Sequence, residues 1–415
     1  MAADYPGIES RRRNQAMNPS RLLLAILMVL TALGEISTQL LIPALSRIEQ
    51  GLDAMPGASV AALSGFVAAF GLGQLLLGPL SDRIGRRPVL IGGLTLYLAA
   101  TGLMLLADSM IGFIVGRVAQ GLGACAALVL ARAIVRDAWK AQAAPALALT
   151  VIGMLSAIAL APMVGGLLTQ WGGWHAPVLA SMTIGSTALL LVIAFYRESN
   201  LSLDPTAGHP ATLARDYFSL LKQRSSRALA LTLAGTYGAM FAVIAGSSAV
   251  YIHLLGLSSA QYGMVFGITI SGLIAGALFT QRKIMQLGPQ RIVGFGISLV
   301  AAGAALSILV HSVLGLSVLG VSLPQVLVTL GGGMLIPASV AGVVMPNAHR
   351  AGLAAGLMGF SQMLGATCSG LLLSALQDGT ASPMLGLQGA FAISAFCLFH
   401  LMTRKPRSAD LTSAI

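Results

Sequence analysis

Apolar segments of roughly 20 residues recur along nearly the whole chain, and a helix of that length crosses a hydrocarbon core of about 30 Å. Hydrophobic residues make up 56% of the 415 residues and charged residues only 9%, against about a quarter charged in an ordinary soluble domain. We predict twelve spans, numbered along the chain, at approximately 22–45, 58–79, 89–107, 110–133, 147–169, 174–196, 228–252, 261–281, 292–310, 313–340, 351–376 and 385–403. In hydrocarbon each backbone polar group must be satisfied within its own segment, and the alternation of a barrel strand is absent. The predicted fold class is therefore an all-α polytopic membrane protein with twelve transmembrane helices.

The basic residues fall in alternate loops between these spans. A formal net charge of +11 is compatible with nucleic-acid binding, but this distribution favours the positive-inside pattern of a membrane protein. With an inner N-terminus, the basic residues at the inner side are found in the loops, at the inner end of span 4 and at the C-terminus. They are Arg83, Arg86, Arg87, Arg132, Arg136, Lys140, Arg197, Arg215, Lys222, Arg224, Arg227, Arg282, Lys283, Arg291, Arg350, Arg404, Lys405 and Arg407. The outer loops hold Arg47 alone. We predict that both termini are cytoplasmic and that the protein surface contacts the lipid bilayer. We also predict that the chain does not bind nucleic acid.

The longest polar stretch, residues 197–227, divides the chain into two halves of six spans. The predicted organisation is a cytoplasmic N-terminal tail at 1–21, a six-helix bundle at 22–196, a cytoplasmic linker at 197–227, a second six-helix bundle at 228–403 and a cytoplasmic tail at 404–415. Transporters built from such repeats carry the substrate site near the membrane midplane, between the repeats. The two bundles are therefore expected to surround a central cavity.

Charge is concentrated in the link between spans 2 and 3, GPLSDRIGRRPVL at residues 78–90. Gly85 permits a tight turn, Pro88 suits the first turn of the next helix, and Asp82 can pair with basic groups or a helix N-terminus. A simple inner anchor needs the arginines, but neither the glycines nor the aspartate. The link resembles the G-x-L-x-D-R-x-G-R-R/K signature of the major facilitator superfamily through Gly78, Leu80, Asp82, Arg83, Gly85, Arg86 and Arg87.

Three further stretches resemble the twelve-span drug/proton antiporters of that superfamily, of the bicyclomycin/chloramphenicol resistance type. RVAQGLGACAALVLARAIVRD at 117–137 is similar to their span 4 motif and includes Gln120, Gly121, Arg132, Arg136 and Asp137. APMVGG at 161–166 resembles their span 5 motif G-P-x-x-G-G, with Ala161 in place of the first glycine. The stretch LIPAL at the end of span 1 also resembles this type of antiporter.

The resemblance implies two moving parts. Asp82 and the nearby arginines would form a cytoplasmic gate that bridges spans in the outward-open state and then releases. In span 5 the resemblance implies a hinge, or a seal against leak, formed by Gly153, Pro162, Gly165 and Gly166. The alternative for the charged link is that it only anchors the chain at the inner side of the membrane. The alternative for the span 5 glycines is that they only allow close packing of helices.

Charge inside a membrane is costly, so an ionisable side chain within a span is a functional candidate. Glu35 lies roughly 20 Å from the inner boundary and Arg117 roughly 10 Å below the outer one, at 1.5 Å per residue, so in a core of about 30 Å their depths coincide. Our hypothesis is that Glu35 binds the proton and, in the competing state, a cationic or polar substrate, while Arg117 helps to set its protonation. The alternatives are a static buried pair, or an arginine that bonds helix carbonyls.

Gln39 marks a departure from the family pattern, because many relatives of this type carry an acidic residue at its position. Gln39 lies one helical turn after Glu35 on the same face. Either Glu35 takes over the role of the acidic residue that relatives carry at this position, or the protein recognises a different substrate or couples transport to protons in another way.

A ligand site for an amphiphile is typically apolar with a few polar groups. The candidates for the wall of the cavity are Gln39, Phe70, Gln74, Gln120, Tyr237, Phe241, Tyr251, Phe266 and Gln362.

The predicted function is export of a small amphiphilic compound against inward proton flow by alternating access. The compound is a drug or a self-made metabolite such as a siderophore, and the chain is expected to act as a monomer in the bacterial inner membrane, without metal or cofactor. The alternatives are a proton-symporting importer, which the span 5 motif disfavours, and a receptor or channel that does not transport. An ATP-driven pump is disfavoured because there is no phosphate-binding Gly-Lys-Ser/Thr loop. A membrane enzyme is disfavoured because the histidines are scattered and not clustered near one face. They are His175, His209, His253, His311, His349 and His400.

Overall fold

The computed structural model describes residues 20–200, 202–205 and 208–403, and every regular element in that part of the chain is helical. Twelve of its helices are long and apolar enough to cross a membrane, which confirms the predicted fold class. The predicted N-terminal tail, apart from its last two residues, and the predicted C-terminal tail lie outside the described residues.

The helices of the first half follow the predicted spans with small shifts at their ends. Span 1 is the helix Arg21–Leu41, a 3₁₀ turn Ile42–Ala44 and the helix Leu45–Gly51. Spans 2 to 4 are Ala58–Ile84, Arg86–Leu105 and Met110–Trp139. A 3₁₀ turn Lys140–Gln142 leads into span 5, Ala143–Gly172, and span 6 is His175–Phe195.

The second half begins after a helix that the sequence did not predict, Pro210–Lys222, here called the linker helix. Span 7 is Arg224–Ser248 and continues as the π-helix Ala249–Leu254. Spans 8 and 9 are Ser259–Leu287 and Pro289–Leu314. Span 10 is Val318–Val344, followed by the 3₁₀ segment Met345–Arg350, and spans 11 and 12 are Ala351–Leu376 and Ser382–Thr403.

The helix ends repeat between the halves because the same residue types stand there. Ser109 and Ser317 cap spans 4 and 10, each accepting a hydrogen bond from a backbone N–H in the first turn. Gly85 and Gly288 end spans 2 and 8 with φ of 104° and 76°, a conformation that a side chain would strain. The charged link between spans 2 and 3 is consequently almost all helix, turned at Gly85.

Packing within the two halves follows one pattern. In the first half, span 4 packs against spans 2 and 3, and span 1 packs against spans 5 and 6. In the second half, span 10 packs against spans 8 and 9, and span 7 packs against spans 11 and 12. The halves meet where span 2 packs on span 11 and where span 5 packs on span 8.

The two ends of the bundle differ in how the halves touch. We call the end that carries the linker helix the linker end, and the opposite end the far end. At the far end the Ser374 hydroxyl donates to the Gly57 carbonyl at 2.7 Å, and the hydroxyls of Ser46 and Ser248 are 3.4 Å apart. Gly166 of span 5 lies so close to the Ser259 carbonyl of span 8 that an added Cβ would overlap it. The far end is therefore closed.

Candidate functional site

A small cavity lies between the halves, where spans 1, 2, 7 and 11 come together. The lining residues are Gly34, Glu35, Thr38, Gln39, Phe66, Val67, Phe70, Tyr237, Phe241, Ile244 and Met363. We call it the central cavity. It brings together five of the predicted candidates, namely Glu35, Gln39, Phe70, Tyr237 and Phe241.

Glu35 is the acidic residue of this lining, and its side chain is partly exposed. The charge that acts on it is that of Arg132, in the half of span 4 nearer the linker end. Tyr237 also interacts electrostatically with Glu35, and its hydroxyl is hydrogen-bonded to the predicted candidate Gln362. A carboxylate thus faces a cavity that contains few other polar groups.

Gln39 offers a second acceptor to the same cavity. Its side chain is 3% exposed, and its Oε1 has no hydrogen-bond partner among the described residues. Since buried polar atoms are nearly always hydrogen-bonded, an unpartnered acceptor in a cavity wall is a place for a donor on a ligand. Glu35 and Gln39 together suit a cationic or hydrogen-bond-donating group.

Arg117 does not accompany Glu35, although their depths were expected to coincide. Arg117 is fully buried, donates from Nη1 to Gln120 Oε1 at 2.6 Å, and lies 4.1 Å from the ring centre of Phe66. Gln120 in turn donates to Thr101 of span 3 at 2.8 Å. Phe66 lines the central cavity, so its ring stands between the cavity and Arg117. The depth of a residue along a helix can be read from sequence, but the direction in which its side chain points cannot. The positive charge that acts on Glu35 is that of Arg132.

The gate motif forms a network around Arg86, whose side chain is only 9% exposed. Its guanidinium contacts Asp82 at 2.6 Å, Asp137 of span 4 at 3.2 Å and the Ser81 hydroxyl at 2.5 Å. The network therefore joins the link between spans 2 and 3 to the span 4 motif, and both lie in the first half. Arg83 is exposed, and Arg136 lies at the surface of span 4.

Glu198, which the sequence analysis missed, completes this network. Its carboxylate accepts hydrogen bonds from the backbone N–H groups of Arg86 at 3.0 Å and Arg87 at 2.9 Å, at the positive N-terminus of span 3. Gly85 leaves room for it, because an added Cβ there would lie 2.8 Å from Glu198 Oε2. The signal in the sequence was an acidic residue directly after span 6, in the stretch YRES.

Replacing Arg86 by Ala is expected to lower the free energy of unfolding by about 2 kcal/mol, because Asp82 and Asp137 lose their charged donor. The measurement is thermal unfolding of the detergent-solubilised protein. The matched control is Arg83→Ala in the same motif, whose side chain is exposed, and it should unfold as the wild type does. Equal losses in the two variants would contradict the network.

The linker helix contacts both halves at the linker end. Its Tyr217 hydroxyl donates to the Leu75 carbonyl of span 2 at 3.1 Å, and burial raises the pKa of Tyr217 to about 12, so the donor proton is retained at neutral pH. Asp216 pairs with Arg350 of the second half at 3.6 Å, and Arg350 also donates to Ser219 at 3.2 Å. The linker is thus fastened to each half by a separate set of bonds.

Span 5 carries its predicted glycines at two close helix contacts. Gly165 lies against the Leu40 carbonyl of span 1, and Gly166 lies against span 8 as described above. An added Cβ at Gly263 of span 8 would likewise overlap the Pro162 carbonyl. Gly153 faces Met28 of span 1, and the helix runs through Pro162 without interruption. These contacts are the close packing that small residues allow.

The remaining candidates lie outside the central cavity. Gln74 lies against Gly359 at the contact of span 2 with span 11, and Gly121 packs on the Phe66 backbone. Tyr251 and Phe266 line a second small cavity between spans 7, 8 and 10. Gln74, Tyr251 and Phe266 were predicted for the wall of one cavity, whereas Gln74 lies at a helix contact and the two aromatic residues line the second cavity.

Residues 24–370 match the family model described as Major Facilitator Superfamily. The chain is 29% identical over 372 residues to multidrug resistance protein D of Escherichia coli, covering 88% of this chain and 91% of that one. It is 27% identical to a chloramphenicol resistance protein of Pseudomonas aeruginosa (85% and 84% covered) and 23% identical to a bicyclomycin resistance protein homolog of Haemophilus influenzae (91% and 95% covered).

Solved structures share the fold at low sequence identity. The peptide transporter POT in complex with sulfate superposes with a TM-score of 0.76 at 13% identity, covering 95% of this chain and 97% of that one. A mutant of the nucleoside transporter NupG gives 0.73 at 13% identity, covering 92% and 100%.

Proposed function

The chain belongs to the major facilitator superfamily, and from this premise we propose that it exports a small amphiphilic compound in exchange for protons by alternating access. It is a multi-pass membrane transporter and not an enzyme. Among its relatives are proteins named for resistance to bicyclomycin, chloramphenicol and several drugs, which supports export of a drug or of a self-made metabolite such as a siderophore.

The observation that carries the proposal is the Glu35 carboxylate in a cavity between the two halves. A group that binds either a proton or a cationic substrate couples their movements when the cavity opens to one side at a time. Arg132 supports this role, because its charge acts on Glu35 from the side of the linker end. The two six-span bundles move as units in this proposal, and the chain acts as a monomer.

Orientation follows from the arginines at the linker end, which we assign to the cytoplasm of a bacterium, with both termini on that side. The closed far end then faces outward. In this state the Arg86 network joins elements of the first half only, which supports the released form of the gate. In the outward-open state the gate would bridge to the second half.

The test uses the purified protein in vesicles, with ethidium as the cationic amphiphile and the membrane potential clamped at zero. An antiporter accumulates ethidium when the lumen is acidic and the bath alkaline, because outward proton flow drives the cation inward. Accumulation only with the opposite gradient would identify a symporting importer, and uptake independent of either gradient would exclude proton coupling.

A further inference from the structure

The linker helix exposes one face, which carries an aromatic ring between two cations. Phe218 is 62% exposed, whereas the neighbouring aromatic residue, Tyr217, is half-buried against the bundle. Residues three and four positions apart share a face of a helix, so Arg215 and Lys222 lie on the same face as Phe218. Both basic side chains are exposed, and the Lys222 ammonium lies 5.2 Å from the centre of the Phe218 ring. We call Arg215, Phe218 and Lys222 the Phe218 face.

The Phe218 face has a net positive charge. The lysines and arginines between residues 205 and 227 are Arg215, Lys222, Arg224 and Arg227. The one acidic residue of that stretch, Asp216, pairs with Arg350 at 3.6 Å on the packed side of the helix. Its charge is therefore compensated away from the Phe218 face. Several basic residues on an amphipathic helix, directly before a membrane span, are typical of a site for anionic lipid head groups.

The linker helix lies beside the last turns of span 2. Its Tyr217 hydroxyl donates at 3.1 Å to the Leu75 carbonyl, nine residues before span 2 ends at Ile84. At 1.5 Å per residue that carbonyl is about 14 Å from the end of the span. A tyrosine side chain and its hydrogen bond together reach less far than this, so the backbone of the linker helix does not lie beyond the end of span 2.

The same stretch of span 2 faces lipid. Leu76 is 56% exposed and Leu80 is 41% exposed, and the two lie one turn apart on one side of the helix. Exposed leucines in a membrane span contact acyl chains, so the bilayer extends to the level of the linker helix. The Phe218 face is consequently at the depth of the lipid head groups, where an aromatic ring and basic side chains are both favoured.

We propose that the Phe218 face is a binding site for an anionic phospholipid. The Phe218 ring inserts at the boundary between head groups and acyl chains, and the Arg215 guanidinium and the Lys222 ammonium bond to the lipid phosphate. The bound lipid adjoins the helix that is fastened to both halves of the bundle. The site is separate from both cavities, and the proposal does not depend on the proposed function.

The test uses Phe218→Trp as a fluorescent reporter, in phosphatidylcholine nanodiscs with about one lipid in ten brominated near the head-group end of an acyl chain. Quenching in the wild type is subtracted to remove the native tryptophans. Two basic groups at the surface are expected to give about a tenfold preference for brominated phosphatidylglycerol over phosphatidylcholine with the same brominated chain. The share of sites that hold a brominated lipid then rises from about a tenth to about a half, so the excess quenching should be roughly fivefold greater.

The double substitution Arg215→Gln with Lys222→Gln in the reporter protein should abolish the difference between the two lipids. The matched control is Arg282→Gln with Lys283→Gln, which removes two exposed cations at the linker-end part of span 8 and should keep the difference. Equal quenching by the two lipids in the reporter protein overturns the anionic site, and no excess quenching by either lipid overturns its place at the bilayer. An equal loss in the control would assign the preference to the net charge of the protein, which also overturns the proposal.

Discussion

Vesicles containing the Glu35→Gln variant are expected to lose proton-driven ethidium uptake to the level of protein-free vesicles. Glutamine keeps the size and the hydrogen-bonding capacity of the side chain but cannot take up a proton at any working pH. Without that step, cation movement down its own gradient remains, whereas movement driven by a pH difference stops. The measurement is ethidium uptake at lumenal pH 6 and bath pH 8, with the reverse gradient as the second arm.

Asp378→Asn is the matched control for Glu35→Gln. Asp378 is an exposed carboxylate in the loop between spans 11 and 12, hydrogen-bonded to Thr380. Its neutralisation removes one negative charge without touching the cavity, so proton-driven uptake should persist. Uptake that survives in the Glu35 variant, with the control also active, would remove Glu35 from the coupling step.

Replacing Gly166 by Leu is expected to keep the far end from closing. The leucine side chain would enter the space occupied by the Ser259 carbonyl and the start of span 8. Overpacking of this kind costs about 1–3 kcal/mol, which shifts an equilibrium between closed and open states by roughly 5- to 150-fold. Transport should fall by at least tenfold, because the cycle needs both states.

The readout for this variant is labelling of a cysteine introduced at Ser248, which the far-end contact buries in the closed state. Labelling from the far side should accelerate in Gly166→Leu. The control is Gly102→Leu, since an added Cβ at Gly102 meets nothing within 4 Å. Unchanged labelling together with normal transport in Gly166→Leu would show that closure of this contact is not part of the cycle.

The spans and the acidic residue of the cavity could be predicted from the sequence, because each has a signal that can be read along the chain. For the spans it is the length of an apolar segment, and for Glu35 it is a charged residue inside such a segment. Prediction from the sequence failed where rotation about a helix axis decides the neighbour. Arg117 was placed beside Glu35 by depth alone, yet it faces Phe66 and Gln120 within its own half. Arg132 was interpreted as part of the basic inner end of span 4, because that span was expected to end at about residue 133 and it continues to Trp139.

Neutral polar residues in the spans could not be ranked as candidate site residues from the sequence, because their signal is too weak. Gln325, which lines the second cavity, was missed although it repeats the position of Arg117 in the other half, because an uncharged amide is not costly enough to mark a site by itself. The linker helix was missed for another reason. Its buried face is short, with Leu220 buried and Tyr217 half-buried, and the polar residues around it are typical of a loop.

The fastening of the linker helix restricts how the molecule can open at the linker end. Tyr217 is bound beside the seam of spans 2 and 11, where its hydroxyl also adjoins Gly356, and Asp216 holds Arg350 just before span 11 begins. That flank is held by these bonds, so in the proposed cycle we expect the halves to hinge about it and to separate most on the opposite flank, between the linker-end parts of spans 5 and 8. A solute would then enter from one side of the bundle, close to the lipid into which an amphiphile partitions.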